Sequence, residues 1–410
     1  MKPLLLSYGG GHANIMVALA RELDRRAVPY DLLGLTAAYG VFERAGLRPM
    51  DICALVDREA DLPYLEAVGP FLPDIQHPDI SAAQTRAYFG LGFADLVRRI
   101  GQTSAEKAIA QHGRKAFEPT GVFARYFEQN EPSVVVTTTS PRYELAAVRA
   151  ARQAGIPAIA VGDQFLVGQS DFITGGEYAD HLILLSSQVE ENLRASGLRQ
   201  PQVHLFGNPA FDTLAPQSDD GNRAERLRQR LGLTDRKVLF WPLGGADRAG
   251  DGEPLLRTDE VIAMLEQILG GHDEWRYLLR PHPNWPVTQP DPPRGRFCPP
   301  DMSPEDCLIM SDLVVFESST MGLQAILKGI PAICFRHADY NHFPRYGWTS
   351  VAEDSDELRR LIETESYAQP PLELSELVGT ASARTIDLVE HLHSIRTTGD
   401  ETLNEQGEHD

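Results

Sequence analysis

The chain has 410 residues, 42% of them hydrophobic and 23% charged, and a formal net charge of −20 at pH 7. This length predicts two domains rather than one core, and no apolar run approaches the length of a membrane span or of a signal peptide. The negative charge argues against a nucleic-acid partner, because phosphate backbones are held by basic surfaces.

The first predicted element is a short strand, Pro3 to Leu6, followed by the loop Ser7-Tyr-Gly-Gly-Gly-His12 and an amphipathic helix. Consecutive glycines such as Gly10 and Gly11 let a backbone approach a ligand closely, and the helix points the positive end of its dipole toward this loop. The spacing does not match the dinucleotide fingerprint. A neutral His12 could accept a proton from an acceptor hydroxyl, or it could only cap the helix or bind phosphate, and both roles stay open.

A basic, aromatic-rich segment follows between Gln84 and Phe127, with seven basic residues against three acids. One interpretation is a surface for an anionic acceptor or an anionic membrane, which would make the protein membrane-peripheral. The alternative is a pair of amphipathic helices whose arginines face solvent and whose aromatic rings form a core. The segment falls within a predicted helical insertion at about residues 55–130.

Short apolar runs alternate with helical patterns along the chain, as expected for parallel sheets flanked by helices. The predicted strands after the first are Tyr30–Leu35, Ser133–Thr137, Ala158–Val161, His181–Leu185, Lys237–Trp241, Trp275–Leu279, Leu313–Phe316 and Ala332–Phe335. They predict an α/β protein with an N-terminal Rossmann-like domain over 1–206 and a second one over 207–375. A C-terminal helix over 376–396 and a disordered acidic tail over 397–410 complete the prediction.

The clearest local signal is the late unit Ser311–Phe335, which predicts a strand, a turn, a helix and a second strand. The turn carries Ser318, Ser319 and Thr320, which are good helix N-cap residues, and Gly329 suits the end of the helix. A helix that begins in hydroxyl residues offers free N–H groups to an anion, so this turn indicates either a phosphate site or an ordinary strand-to-helix connection.

The sequence offers no clear metal site. The triplet Asp354-Ser-Asp356 opens a predicted helix and is interpreted as a helix cap. Four cysteines without paired ligand spacing are typical of a reduced, cytoplasmic protein: Cys53, Cys298, Cys307 and Cys334. We therefore expect neither a metal nor another cofactor.

Several of these motifs carry a resemblance to known enzymes. The Gly-Gly-Gly-His loop resembles that of GT-B glycosyltransferases such as the peptidoglycan N-acetylglucosaminyltransferase, and the late unit resembles their donor-binding unit. Phe206-Gly-Asn-Pro-Ala-Phe-Asp212 is similar to the hinge of these enzymes and of UDP-N-acetylglucosamine 2-epimerases. Leu279-Arg-Pro-His-Pro-Asn284 looks like a turn of those epimerases and of CDP-glycerol glycerophosphotransferases. The resemblance covers nearly the whole chain except about 55–130 and the tail.

The resemblance implies a GT-B fold with a cleft between two lobes, a nucleotide-sugar donor as substrate and a hydroxyl-bearing acceptor. His12 would be the catalytic base, and Asp163 would orient it or contact the acceptor. Gln324 stands where these families usually carry a ribose-binding Glu, which leaves the nucleotide open. The residues implied to bind the donor are Gly10, Gly11, Gly244, Gly245, Arg248, His282, Ser318, Ser319, Thr320 and Gln324.

The function that the resemblance implies best is a metal-independent glycosyltransferase of bacterial-type glycan or glycoconjugate synthesis that uses a UDP-sugar. A 2-epimerase is less well matched, because Val136–Ser140 has no Asp and Trp241–Gly245 has no His where the epimerases carry them. A CDP-polyol phosphotransferase and a non-catalytic nucleotide-binding scaffold stay open.

Overall fold

The computed structural model describes residues 1–74, 77–166, 169–175, 178–244, 254–282, 287–337 and 343–407. The chain forms two compact units. Unit 1 contains Met1–Asp212 and Gly379–Asp410, and unit 2 contains Thr213–Val378. The chain therefore leaves unit 1 after Asp212, a few residues later than the predicted boundary, and returns to it after Val378.

Unit 1 is built on a parallel sheet of seven strands: β1 Leu4–Ser7, β2 Asp31–Gly34, β3 Met50–Asp51, β4 Val135–Thr138, β5 Ala158–Val161, β6 His181–Leu184 and β7 Gln202–Leu205. Its strand order is β3-β2-β1-β4-β5-β6-β7. All residues of β1, β4 and β5 are buried, as expected for strands covered by helices on both faces. This is the order of a Rossmann-like sheet with one strand added.

The helices of unit 1 are α1 Gly11–Arg25, α2 Ala38–Arg44, α3 Arg58–Ala67, α4 Ala82–Ile100, α5 Gln102–His112, α6 Thr120–Asn130, α7 Tyr143–Gln153, α8 Ser170–Thr174 and α9 Ser187–Ala195. Helices α3 to α6 lie between β3 and β4, in the segment predicted as a helical insertion. Short 3-10 helices cover Ile52–Leu55, Gly69–Phe71, Gly113–Ala116 and Pro209–Leu214.

The basic, aromatic-rich segment packs inward. Six of its aromatic residues are buried: Tyr88, Phe93, Phe117, Phe123, Tyr126 and Phe127. The carboxylate of Asp61, which is fully buried, accepts hydrogen bonds from Arg98 and Arg125. The helices thus have the aromatic core faces of the second interpretation, and contact with a membrane stays a prediction.

Unit 2 repeats the architecture with six parallel strands: β8 Lys237–Pro242, β9 Trp275–Arg280, β10 Gly295–Phe297, β11 Leu313–Phe316, β12 Ala332–Phe335 and β13 Ser350–Ala352. Their order is β10-β9-β8-β11-β12-β13, which is again Rossmann-like. The helices are α10 Asp220–Leu231, α11 Thr258–Leu269, α12 Pro304–Ile309, α13 Thr320–Leu327, α14 Ser355–Glu363 and α15 Leu372–Ser375, with a 3-10 helix at Phe343–Tyr346. The predicted α/β class with two Rossmann-like lobes is confirmed.

Asp354 acts as the predicted helix cap, because its carboxylate accepts hydrogen bonds from the backbone N–H groups of Asp356 and Glu357 at 3.0 and 2.9 Å. Gly329 has φ of 78° two residues after the last residue of α13, as the predicted end of that helix requires.

The last helix, α16 Ala381–Gly407, belongs to unit 1. Its residues Ile386 and Val389 are fully buried in the same core as α1. The helix extends past residue 396 into the segment predicted to be disordered. The hydroxyl of Thr397 donates to a carbonyl one turn earlier, and no proline interrupts the helix here.

Candidate functional site

Each sheet has a point where its strand order reverses, between β1 and β4 in unit 1 and between β8 and β11 in unit 2. In open α/β sheets, ligands bind outside the carboxyl ends of the strands at such a point. The segments that directly follow these four strands contain His12, at the start of α1, and the loop residues Ser140, Gly244 and Ser318. The sheet topology therefore gives each unit its own candidate site, and both coincide with motifs found in the sequence.

In unit 1, the turn after β1 depends on Gly10. This residue has φ of 60° and ψ of −139°, a conformation open essentially to glycine alone. It is the N-cap of α1, and no side chain caps that helix end. The first residues of α1 therefore place His12 at the carboxyl edge of the sheet.

A chain of three hydrogen-bonded side chains starts at His12. The Nδ1 atom of His12 lies 2.7 Å from the hydroxyl of Thr138, which is the last residue of β4. Thr138 in turn donates to the carboxylate of Glu144 at 2.6 Å. Because the hydroxyl proton points to Glu144, Thr138 accepts the Nδ1 proton of His12. This arrangement fixes the tautomer in which Nε2 carries a lone pair.

Glu144 is fully buried, and its other carboxylate oxygen accepts from the backbone N–H of Tyr8 at 3.1 Å. Burial raises the pKa of Glu144 to about 7, although hydrogen bonds from Thr138 and Tyr8 oppose the shift. The ionised carboxylate accepts both bonds, whereas the protonated form can donate to Thr138 and reverse the chain. The tautomer of His12 is therefore linked to the charge of Glu144.

Asp163 faces His12 from the loop after β5. Its Oδ2 atom lies 3.8 Å from Nε2 of His12, and both side chains are about one-fifth exposed, 24% and 20%. The side-chain amide of Asn208 donates to the Asp163 backbone carbonyl and so fixes that loop. The structure thus brings together the two residues predicted to be catalytic.

The electrostatics favour a neutral imidazole. Burial lowers the pKa of His12, and the Asp163 carboxylate only partly opposes this. Burial also raises the pKa of Asp163, against the effects of His12 and Asn208. At neutral pH, Nε2 of His12 is therefore a partly exposed base beside a carboxylate that can stabilise the imidazolium once a proton is taken.

In unit 2, the turn after β11 leads into α13. A Cβ atom on Gly322 would come within 2.6 Å of the Phe316 ring, so glycine allows α13 to pack closely on the end of β11. Ser319 is the N-cap, and its hydroxyl accepts from the Met321 N–H at 3.2 Å. Ser318 is partly exposed and Thr320 is exposed, and both lie at the positive end of the helix.

Glu317, directly before this turn, is almost fully buried at 2% exposure. Its two carboxylate oxygens lie 3.1 and 3.3 Å from the backbone nitrogen of Leu256, which donates to them. His337 lies 3.6 Å away, at the end of β12. Burial raises the pKa of Glu317 to about 7, against the hydrogen bond from Leu256. Glu317 thus fastens the segment before α11 to the carboxyl edge of the sheet.

The remaining predicted donor-binding residues are placed as follows. Gly11 lies against Asp163, since a Cβ there would come within 3.3 Å of its Oδ1 atom. Gly244 follows β8 and His282 follows β9, both partly exposed at the carboxyl edge of the sheet. Gln324 is partly exposed on α13. Gly245 and Arg248 lie outside the described residues.

Four residues of these sites were not predicted from the sequence: Thr138, Glu144, Asn208 and Glu317. Glu144 left one trace, because it directly precedes the apolar stretch Leu145–Val148 within α7. A carboxylate beside such a stretch indicates a buried polar partner. Thr138 and Asn208 act through hydrogen bonds that only the folded chain shows.

Unit 1 also has a cavity of about 750 Å³, which lies away from the candidate site around His12. It is lined by the ends of α6 and α7 and by Ile156, just before β5, so it opens at the amino-terminal edge of the sheet. In the described part of the chain, no group of three or more His, Cys, Asp or Glu residues is arranged to hold a metal ion. Among the helices of the same residues, none combines the length and apolar character that a membrane span needs.

No protein-family model and no curated protein matches the chain. Solved structures do match it. The UDP-GlcNAc 2-epimerase from Methanocaldococcus jannaschii is 12% identical, with a TM-score of 0.56 over 95% of this chain and 100% of that one. The Neisseria meningitidis enzyme of the same name, bound to UDP-GlcNAc, gives 0.55 at 12% identity over 94% and 99%. Acinetobacter baumannii MurG gives 0.54 at 12% identity over 95% and 99%. The chain has the GT-B fold.

Proposed function

We propose that the protein is a glycosyltransferase that moves a sugar from a nucleoside diphosphate, UDP in the first instance, to a hydroxyl group of an acceptor. The observation that carries the proposal is the Nε2 atom of His12. It belongs to a neutral imidazole at the strand-order reversal of unit 1, with its tautomer set by Thr138 and Glu144. A positioned neutral histidine is the usual general base for deprotonating a hydroxyl group.

In the proposed reaction, the acceptor oxygen forms a bond with the anomeric carbon of the donor sugar. The bond from that carbon to the diphosphate oxygen breaks, and the nucleoside diphosphate leaves with the electron pair. His12 takes the acceptor proton at Nε2, and Asp163 stabilises the resulting imidazolium. Thr138 and Glu144 keep the ring in place throughout.

Unit 2 is the proposed holder of the donor. The hydroxyls of Ser318 and Thr320 and the N-terminal end of α13 suit the diphosphate, since helix N-termini attract anions. Gln324 offers an amide to the ribose hydroxyls. Solved neighbours of the same fold support a UDP-linked donor, because one of them is a 2-epimerase bound to UDP-GlcNAc.

Epimerisation is less well supported than transfer. It requires groups that remove a proton from carbon and return it. The end of β4 presents Thr138, whose hydroxyl already bridges His12 and Glu144 and is too weak a base for that step. A hydroxyl proton, by contrast, is within the capacity of a single imidazole.

The first experiment is a thermal-shift panel of UDP, UDP-GlcNAc and CDP, followed by an assay of UDP release from UDP-sugars. We expect stabilisation by UDP and UDP-GlcNAc and slow UDP release. His12→Ala should lower that release by about 10²- to 10⁴-fold, the usual contribution of a general base. His112→Ala, which removes an exposed histidine of α5 in the same unit, is the matched control.

Three results would redirect the proposal. Conversion of UDP-GlcNAc into its C2 epimer without UDP release would indicate an isomerase. Stabilisation by CDP alone would favour a polyol phosphotransferase. UDP release that His12→Ala leaves unchanged would remove His12 from the mechanism.

A further inference from the structure

Arg142 occupies the loop between β4 and α7 in a conformation that L-residues rarely adopt. Its φ is 69° and its ψ is −109°, and it is the N-cap of α7 without a side-chain capping bond. Such a backbone persists only where the surrounding structure enforces it, and residues of this kind cluster at functional sites. The side chain is partly exposed.

Two tyrosines hold the guanidinium group in place. Its carbon lies 5.2 Å from the centre of the Tyr8 ring, and its Nε atom donates to the Tyr88 hydroxyl at 3.1 Å. Tyr88 is itself fixed, because its ring stacks on Tyr143 with centroids 4.6 Å apart. The Tyr8 hydroxyl accepts from the Tyr143 backbone N–H at 2.9 Å. These contacts hold the guanidinium group of Arg142 in one orientation, although its side chain is long and partly exposed.

Several other arginines of this unit pair with carboxylates. Arg98 and Arg125 contact the buried Asp61, and Arg99 contacts Asp95 at 2.8 Å. Among the described residues, Arg142 forms no ion pair. Its positive charge is therefore not compensated by a carboxylate within the part of the chain that the structure describes, although the chain as a whole carries a net charge of −20. A guanidinium group presents paired N–H donors that match the two oxygens of a carboxylate or phosphate.

Arg142 also lies close to the residues that orient the proposed base. It precedes Glu144 by two residues, so their Cα atoms are at most about 7.6 Å apart. Glu144 bonds to Thr138 and to the backbone of Tyr8, and Tyr8 is the residue under the guanidinium. The arginine thus stands at the same edge of the sheet as His12, beside the residues that orient it.

We propose that Arg142, oriented by Tyr8 and Tyr88, binds an oxyanion group of the acceptor, a carboxylate or a phosphate, and so places the acceptor hydroxyl at His12. This inference rests on the proposed glycosyltransferase function. It defines the substrate class: the acceptor is an anionic molecule rather than a neutral glycan. Arg142 is a binding residue in this account and takes no proton.

The test uses the full chain with saturating UDP, which occupies the proposed donor site, and two anion probes, inorganic phosphate and acetate. Shifts of the backbone amides of Tyr143 and Glu144 in NMR spectra report binding beside Arg142. We expect saturable shifts with at least one anion, and a dissociation constant about tenfold higher in Arg142→Gln, the change expected for one charge-assisted contact. Arg86→Gln, which removes an exposed arginine of α4, should bind as the wild type does.

Two further variants sharpen the result. Arg142→Lys should retain part of the affinity, because it keeps the charge but not the paired donors. His112→Ala, at an exposed residue of α5 outside the site, should bind the anions normally. Saturation by phosphate alone would identify a phosphorylated acceptor, and saturation by acetate alone would identify a carboxylate.

The proposal is overturned if neither anion gives saturable shifts of these amides, or if Arg142→Gln binds as tightly as the wild type. These failures are separate from a failure of the proposed function. Anion binding that depends on Arg142 in a protein that releases no UDP from UDP-sugars would leave the anion site standing and remove the transferase. UDP release from UDP-sugars, together with anion binding that Arg142→Gln leaves unchanged, would leave the transferase standing and remove the anion site.

Discussion

Replacing Glu144 with glutamine should reverse the hydrogen-bond chain that controls His12. The backbone N–H of Tyr8 can only donate, so the amide oxygen of the new side chain must face it. The amide NH₂ group then faces Thr138 and donates to its hydroxyl. Thr138 must now donate to Nδ1 of His12, and the imidazole proton moves to Nε2. The variant keeps the shape of the site, but Nε2 of His12 no longer has a free lone pair with which to accept a proton.

The size of the effect follows from the contacts involved. Restoring the productive tautomer in the variant places two donors against each other, and an unsatisfied buried donor costs about 1–3 kcal/mol. Since about 1.36 kcal/mol is a factor of ten in rate, the turnover of the proposed reaction should fall by about 5- to 150-fold. Substrate affinity should change little, because Glu144 is fully buried.

The same substitution should increase stability at high pH. The pKa of Glu144 is about 7 in the folded protein, above its ordinary value of 4.5. The folded state therefore binds the proton more tightly, and this contribution to stability is lost as the pH rises through 7. The difference between these two pKa values corresponds to roughly 3 kcal/mol in the free energy of unfolding. Glutamine does not ionise, so its advantage over the wild type should grow by up to that amount between about pH 5 and pH 9.

The direct assay is long-range ¹H–¹⁵N correlation NMR of protein labelled at its histidines, with the His12 signals assigned by their loss in His12→Ala. At about pH 9, where Glu144 is ionised, the wild type should show a protonated Nδ1 and an unprotonated Nε2, and Glu144→Gln should show the reverse. Urea unfolding at low and high pH measures the stability change. An unchanged His12 tautomer in Glu144→Gln would refute the reasoning, whatever happens to activity.

Three other substitutions test the structure. Arg142→Gly should raise the free energy of unfolding by about 1 kcal/mol relative to Arg142→Ala, since only glycine adopts this backbone without strain; equal stability in urea would contradict the strain. Asp61→Ala should cost about 3–5 kcal/mol because it leaves two arginines without their buried partner, whereas Asp259→Ala, at an exposed pair, should leave the unfolding midpoint nearly unchanged. Asp212→Ala should cost about 0.5–2 kcal/mol by uncapping α16, and an unchanged midpoint would show that the cap is dispensable.

The sequence predicted the inner strands of both sheets and missed the outer ones. Strands β1, β4, β5, β8, β9, β11 and β12 are covered on both faces, so they appear as apolar runs. The four strands not predicted, β3, β7, β10 and β13, are the edges of the two sheets. An edge strand needs fewer buried side chains, and β7 has none that is fully covered. Its pairing depends on the neighbouring strand rather than on its own residues.

In the candidate site, too, the sequence predicted some residues and missed others. His12 and Asp163 could be selected from the sequence because each follows a predicted strand, and residues there meet at one edge of a sheet. Thr138 and Glu144 could not, because a threonine at a strand end and a glutamate in a helix are common. Their role depends on a hydrogen bond between residues 126 positions apart in the chain. Such a bond has no local signature.

The path of the chain also sets the order in which the two units can complete their folds during synthesis. Asp212, where the chain leaves unit 1, accepts hydrogen bonds from the backbone N–H groups of Gly379, Ala381 and Ser382, where it returns. Helix α16 then fills part of the core against α1. During synthesis, the ribosome releases the first 212 residues long before this helix exists, whereas unit 2 is continuous and is complete at Val378. The half of the protein that emerges first can therefore complete its core only after the whole of unit 2 has been synthesised and helix α16 has followed it.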